Sequence, residues 1–264
     1  MNGADFPGEL QTLAVELDEG VLVVTLSRPA ALNALDAVLM AELKGLWTAL
    51  PAGVRCIVLT GAGKGFCAGA DISLLESDRG DAAQTAADEL AFLPGDRVEV
   101  PVIVAVNGVC AGGGLHFVAD ADIVIAAEGA AFVDPHVSVG QVTALEPLTL
   151  RPRMRPDVLT RMALLGRHEK LNAERALAAG LVSETLAPEK LLPRARELAG
   201  LIAANSPAAV RASRRAIREH ERSLIGDDRL EAGWAAIRAH WEHPDSKEGP
   251  AAFMDRRPPE WSEE

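Results

Sequence analysis

Two short apolar stretches, residues 13–17 and 21–26, flank the turn Asp18-Glu19-Gly20, a pattern that predicts a β-hairpin. Asp36 then stands where a helix N-cap belongs. Val38, Leu39, Leu43, Leu46 and Trp47 follow at helical spacing, and Pro51 closes the segment. Residues 56–60 and 100–106 are continuous apolar runs that predict buried strands. Between them lies a glycine-rich loop, residues 61–69. The second run ends at Asn107-Gly108, residues 112–119 predict a helix, and residues 123–126 another strand. Strands alternating with helices predict an α/β architecture with a parallel sheet.

After about Leu186 the pattern changes. Residues 188–205, 207–220 and 227–240 each predict a helix, with Pro or Gly at the edges. The chain therefore divides into a core domain, residues 1–204, and a C-terminal helical region, residues 205–264. Trp234, Ile237 and Trp241 fall at helical spacing in that region and suggest more apolar surface than one core can cover, hence an obligate oligomer. Residues 78–88 are small, polar and charged, and are expected to be mobile.

Composition narrows the functional classes. With 264 residues and 48% hydrophobic positions, a sizeable core can form. The longest apolar runs are too short to span a bilayer, and residues 1–9 lack the basic-then-apolar order of a secretory leader. Cys56, Cys67 and Cys110 have no paired metal-ligand spacing, and an odd count argues against a disulfide framework, so a reducing, cytoplasmic setting is expected. The net charge of −12 disfavours a nucleic-acid partner. Arginines cluster over residues 151–155 and 211–218 and at Arg256-Arg257, and are expected to lie on solvated helix faces and loops. His240 and His243 sit three apart, but the break at Pro244 speaks against a metal site, and none is expected elsewhere.

Several segments together resemble one family. Arg28-Pro29 followed by Asn33-Ala34-Leu35, the loop Gly65-Phe66-Cys67-Ala68-Gly69-Ala70-Asp71-Ile72, and Asn107-Gly108-Val109-Cys110-Ala111-Gly112-Gly113-Gly114 occur in order. Ala178-Ala179-Gly180-Leu181-Val182 and a C-terminal stretch ending in Arg256-Arg257-Pro258-Pro259 follow them. This series resembles the enoyl-CoA hydratase/isomerase (crotonase) superfamily from about Leu13 to Pro259. The resemblance implies a crotonase (ClpP-like) α/β fold: a repeated β-β-α superhelix with a C-terminal α-helical trimerisation region, the trimers often pairing into hexamers. It implies an acyl-CoA thioester as ligand, coenzyme A being part of the substrate and no separate cofactor being needed. It places the thioester against Ala68, Gly69, Ala70, Asp71, Ile72, Gly112 and Gly113.

The family stabilises an enolate oxygen with two backbone N–H groups, carried here onto Ala68 and Gly113. Physical reasoning agrees for the glycines: Gly112-Gly113-Gly114 follows a buried strand and opens a helix, where N–H groups lack partners. Two such donors supply roughly several kcal/mol to the transition state.

The sequence departs from the hydratases at both catalytic glutamates. The first matched position is His116 and the second is His136, in Phe132-Val133-Asp134-Pro135-His136. An aspartate that some isomerases and dehalogenases carry eight residues beyond the second site is replaced by Ala144. Histidine is a general acid–base near neutral pH, so His116 and His136 are the expected catalytic pair. Asp134 and Glu146 are secondary candidates, either of which could hold His136 in one tautomer or make it cationic. Hydration or dehydration of an unsaturated acyl-CoA is the leading expectation. Retro-Claisen cleavage of a β-dicarbonyl substrate and a catalytically silent acyl-CoA binder are the alternatives.

Overall fold

The structure, a computed structural model, describes residues 10–71 and 84–262. Strands β1 (Leu13–Asp18) and β2 (Val21–Leu26) form the expected hairpin, with Leu13 opposite Leu26. Helix α1 (Ala37–Thr48) starts where Asp36 accepts a hydrogen bond from Leu39 N at 2.8 Å. Then come β3 (Cys56–Gly61), β4 (Gly65–Cys67), α2 (Ala86–Glu89), β5 (Val102–Val106), β6 (Val109–Ala111) and α3 (Gly114–Asp120). They are followed by β7 (Ile123–Ala127), β8 (Ala131–Val133), α4 (Leu145–Leu150), α5 (Pro156–Leu165), β9 (Leu171–Asn172), α6 (Ala173–Ala178) and β10 (Glu184–Leu186). Four helices end the chain: α7 (Pro188–Ala203), α8 (Pro207–Ile225), α9 (Asp227–His240) and α10 (Asp245–Met254).

The large sheet runs β1-β2-β3-β5-β7-β10, parallel throughout except for the β1/β2 hairpin. Its strands are apolar on both faces because both faces are covered. Successive residues point to opposite sides. Val21, Val23, Cys56, Val58, Ile103 and Ala105 meet Leu191, Ala195 and Ala199 of α7. Their neighbours Leu22, Val24, Ile57, Leu59, Val102 and Val104 face the main core with Leu39, Leu43, Trp47 and Phe117.

A second, smaller sheet, β4-β6-β8-β9, lies within segments that read as glycine-rich loop and turn. Its strands, two or three residues each, are too short to stand out from the loops around them. Two asparagines fasten it to the large sheet. Asn33, fully buried, donates to Ala62 O at 3.0 Å and Gly65 O at 2.8 Å. Asn107 accepts from Gly61 N at 3.1 Å and donates to Gly63 O and Gly65 O, each at 3.1 Å. Gly108 must be glycine, since a Cβ there would sit 1.9 Å from Lys64 O. This stapling brings the ends of β4 and β6 side by side.

Two expectations are corrected. Trp234 is buried at 3% exposure, and packs with Leu145, Ala86, Ile237 and Trp241 inside the same chain, so these aromatics seat α9 on the core and are not surplus surface. The cluster at residues 211–218 is not a solvated face throughout: Arg214 donates to Asp122 at 2.8 Å and Val98 O at 2.6 Å, and Arg218 pairs with Asp120, tying α8 down. Within residues 78–88, positions 78–83 lie outside the described residues, but Thr85 and Asp88 form a capping box that starts α2. No described helix is long and apolar enough to cross a membrane.

Candidate active site

The Gly69–Ala70 loop and the start of α3 come together at the ends of β4 and β6. Gly69 has φ +90°, and a Cβ on it would lie 2.9 Å from Ala111 O and 3.3 Å from Gly113 N. A Cβ on Gly113 would lie 3.8 Å from Ala70 N. Close approach of two backbones is why glycine stands at position 69, whereas at Gly113 the tight neighbour of an added Cβ would be a side chain, Leu35 Cδ1 at 3.1 Å. The loop is held by a parallel bridge to Leu35: Leu35 N donates to Gly69 O and Asp71 N to Leu35 O, each at 2.8 Å. Asp71 also pairs with Arg28 at 3.0 Å, and Arg28 with Asp36 at 2.9 Å. Asp71 is therefore a loop anchor. Ile72 lies outside the described residues.

Ala68 does not fit the donor role expected of it. Its N–H donates to Leu32 O at 3.1 Å. Ladder geometry explains the displacement: bonding to residues 32 and 35 consumes the N–H groups of Ala68 and Asp71 and leaves that of Ala70 free. Among the described residues, neither Ala70 N–H nor Gly113 N–H has an acceptor. The pair of unspent donors is Ala70 and Gly113, the second lying at the α3 N-terminus, where N–H groups have no helical partner.

Beside this cradle runs a chain of titratable groups. His136 follows β8 through Pro135, and its Cε1 would be 3.4 Å from a Cβ on Gly112. His136 Nδ1 lies 2.6 Å from Asp134 Oδ1, and Nε2 lies 3.7 Å from Glu146 Oε1. The same Glu146 oxygen is 3.0 Å from His116 Nε2. Thr143 donates to Asp134 Oδ2 and lies 3.5 Å from Glu146 Oε2. The order is thus Asp134, His136, Glu146, His116. Asp134 is 1% exposed, Glu146 and His116 6% each, and only His136, at 26%, has appreciable access to solvent.

The charges follow from this packing. Burial pulls His136 down, but the carboxylates of Glu146 and Asp134 outweigh it and lift its pKa from 6.5 to about 9. Burial pushes Glu146 up, but His136 and His116 overcome that and hold it well below the usual carboxylate range. At neutral pH His136 is an imidazolium between two carboxylates. His116 Nδ1 is buried and has no hydrogen-bond partner among the described residues.

Asp134, His136 and Glu146 are also the one group among the described residues whose donor atoms, within 4.8 Å of one another, could hold a metal ion. Their mutual hydrogen bonding and ion pairing already satisfies them in part. Glu89 is a residue the sequence did not single out. Burial raises its carboxyl pKa, with His116 opposing and Glu146 adding, which puts it beside the chain. The Thr85–Asp88 capping box just before it was the available signal. Cys67, expected as a small buried residue, is fully buried, and burial pushes its thiol up to about 12.

Comparison with known proteins places the chain in a family. The family model described as enoyl-CoA hydratase/isomerase matches residues 16–264. The chain is 35% identical over 260 residues to (E)-benzylidenesuccinyl-CoA hydratase of Thauera aromatica, covering 94% of this chain and 97% of the relative. It is 33% identical over 253 residues to crotonyl-CoA hydratase of Syntrophomonas wolfei, covering 94% and 96%. Carnitinyl-CoA hydratase from Mycobacterium avium superposes with a TM-score of 0.84 at 30% identity, over 96% of this chain and 99% of that one. By model match, sequence identity and fold, this chain belongs to the enoyl-CoA hydratase/isomerase family.

Proposed function

We propose that this protein hydrates an unsaturated acyl-CoA, or dehydrates the corresponding hydroxyacyl-CoA, through an enolate held by Ala70 and Gly113. The observation that carries the reading is the placing of two free N–H donors beside a histidine–carboxylate chain whose one accessible member is a cation. Relatives named as hydratases and dehydratases support the reaction class.

In the hydration direction, water oxygen bonds to the β-carbon and the π electrons move onto the thioester oxygen. The two backbone donors stabilise that charge, each by about 3 kcal/mol or more. Glu146, the buried carboxylate that links the two histidines, takes the proton lost by water. The His136 imidazolium gives one to the α-carbon. The proton on Glu146 then returns to His136 across their 3.7 Å separation, restoring both groups. Asp134 fixes the His136 tautomer, and His116 positions Glu146 through the 3.0 Å contact. In this reading the carboxylate missing at the two family positions is resupplied from α4.

The 2.6 Å Asp134–His136 pair also favours a second reading, in which His136, once it has lost its Nε2 proton, is a base that Asp134 strengthens and that activates water against a carbonyl carbon in retro-Claisen cleavage. Incubation with crotonyl-CoA and with a cyclic β-diketone thioester separates them. A product heavier by one water from crotonyl-CoA is expected. Ring-opened acid from the diketone alone would replace the hydratase reading, and no turnover of a broad panel would leave a silent binder. Assembly into trimers or hexamers is also proposed, now on Leu164, Leu201, Ile217 and Phe253, all exposed by more than half. A monomer in sedimentation at micromolar concentration would remove that proposal.

A further inference from the structure

His116 has a second face. Besides contacting Glu146, it lines a cavity of about 540 Å³ with Leu90, Leu93, Ala119, Thr149 and Arg153. That volume lies in the range of small-molecule sites. From α3 the cavity is lined by His116, Ala119 and Asp120, so His116 stands between the site and the cavity. With a rise of about 1.5 Å per residue, Ala119 lies roughly 9 Å along the axis from the cradle. An acyl group anchored by its thioester at Gly113 and extending along α3 would reach Arg153.

Most charges on the cavity wall are already matched. Asp120 pairs with Arg218, and Asp96 with Arg222. The Arg97 guanidinium donates to Leu93 O at 3.0 Å. Arg153 differs: its Nε donates to Ala119 O at 2.8 Å, and among the described residues no carboxylate comes within ion-pair distance of its terminal nitrogens. Glu221 shares the wall and is the nearest balancing charge by its electrostatic effect on Arg153, yet the two form no ion pair. A half-buried guanidinium with a free planar edge, in a largely apolar cavity, is suited to a carboxylate.

We propose that Arg153 is a specificity-determining residue that receives a second, free carboxylate at the far end of the acyl group, making dicarboxylic acyl-CoA monothioesters the preferred substrate class. The inference rests on the acyl-CoA reading above and adds the charge of the acyl terminus to it.

The test is calorimetric binding of octanoyl-CoA and its ω-carboxylated counterpart, suberyl-CoA, to the full chain, with free coenzyme A as reference. Suberyl-CoA should bind wild type on the order of tenfold more tightly than octanoyl-CoA, as a charge-assisted pair implies. In Arg153→Met the ratio should fall to about one, and Arg153→Lys should restore part of it. Equal affinity of the two thioesters for wild type would overturn the proposal without any variant, so a variant that fails to fold does not shield it. A preference that persists in folded Arg153→Met would also overturn it. If neither thioester outbinds free coenzyme A, the acyl-CoA reading falls as well, whereas tight octanoyl-CoA binding without preference removes only the role of Arg153.

Discussion

The cradle and the titratable chain lie side by side and are built in opposite ways. The cradle is backbone: Gly69, Ala70 and Gly113 contribute N–H groups and close approach, and side chains enter only to hold the loop. The chain is side chain throughout, spread over the turn after β8, α4 and α3. A backbone site survives most substitutions but cannot change its chemistry. A side-chain site can change its chemistry with one residue, and in the proposed mechanism His116 and His136 work where the resemblance leads one to expect glutamates. In the proposed mechanism the backbone donors are therefore the fixed part of the site, and the proton-handling side chains the adjustable part.

The sharpest way to break this division is proline at two nearby positions. Ala70→Pro should lower kcat by about 10²–10³ with the fold retained, because it removes a free donor and touches neither bond to Leu35. Ala68→Pro should instead lower stability, by roughly 1 kcal/mol or more, since its N–H is already bonded to Leu32 O. Kinetics and thermal melts of both variants distinguish the outcomes. Equal turnover by Ala70→Pro and wild type would remove Ala70 from the mechanism.

Glu146→Gln tests the other half. It keeps the volume but deletes the charge that sustains the imidazolium. The rate should fall by about 10²–10⁴. The His136 resonance should titrate well below the value of about 9 that the intact pair supports. An unchanged histidine titration by NMR would show that Asp134 alone sets the charge.

The pH dependence of stability comes next in size. Because folding raises the His136 pKa from 6.5 to about 9, its contribution is complete below 6.5 and fades as pH rises through about 9. Unfolding free energy should decline across that window by at most about 1.4 kcal/mol per pH unit from this group. His136→Gln should flatten the decline. Glu146 works in the other direction: its pKa is lowered on folding, so its contribution is present above 4.5 and lost as pH falls further.

Legibility in the sequence followed the same division. The cradle could be read because glycines at fixed spacing announce a backbone requirement, and the large sheet because its apolar runs are continuous. Ala70 was displaced by two residues from the expected donor because free and spent N–H groups depend on pairing with Leu32 and Leu35, which no local pattern reveals. Glu146 was legible only as a candidate. Its bond to His116 spans thirty positions of chain and depends on how α4 packs on α3, which Leu145 and Trp234 help to fix. Glu89 was hidden because a short polar segment looks alike whether it is mobile or capped. Arg153 and Arg214 looked like surface cations because no local pattern can say that Ala119 O lies beneath the first and Asp122 beneath the second.

The smallest expected effect concerns Cys67, the one nucleophilic side chain in the cradle loop. It sits between Phe66 and Ala68, and its Sγ would be 3.2 Å from a Cβ on Gly114. Position alone would make it a tempting catalytic thiol. Its environment opposes that: it is fully buried, burial pushes its pKa up to about 12, and no cation compensates. Cys67→Ala should therefore change kcat by less than about twofold while lowering stability by roughly 1 kcal/mol through the small void it leaves. Alkylation should also fail to modify the native chain, since all three cysteines are buried. A large loss of turnover in a folded Cys67→Ala variant would mean that a side chain contributes to chemistry within the cradle, and the separation between a backbone half and a side-chain half of this site would no longer hold.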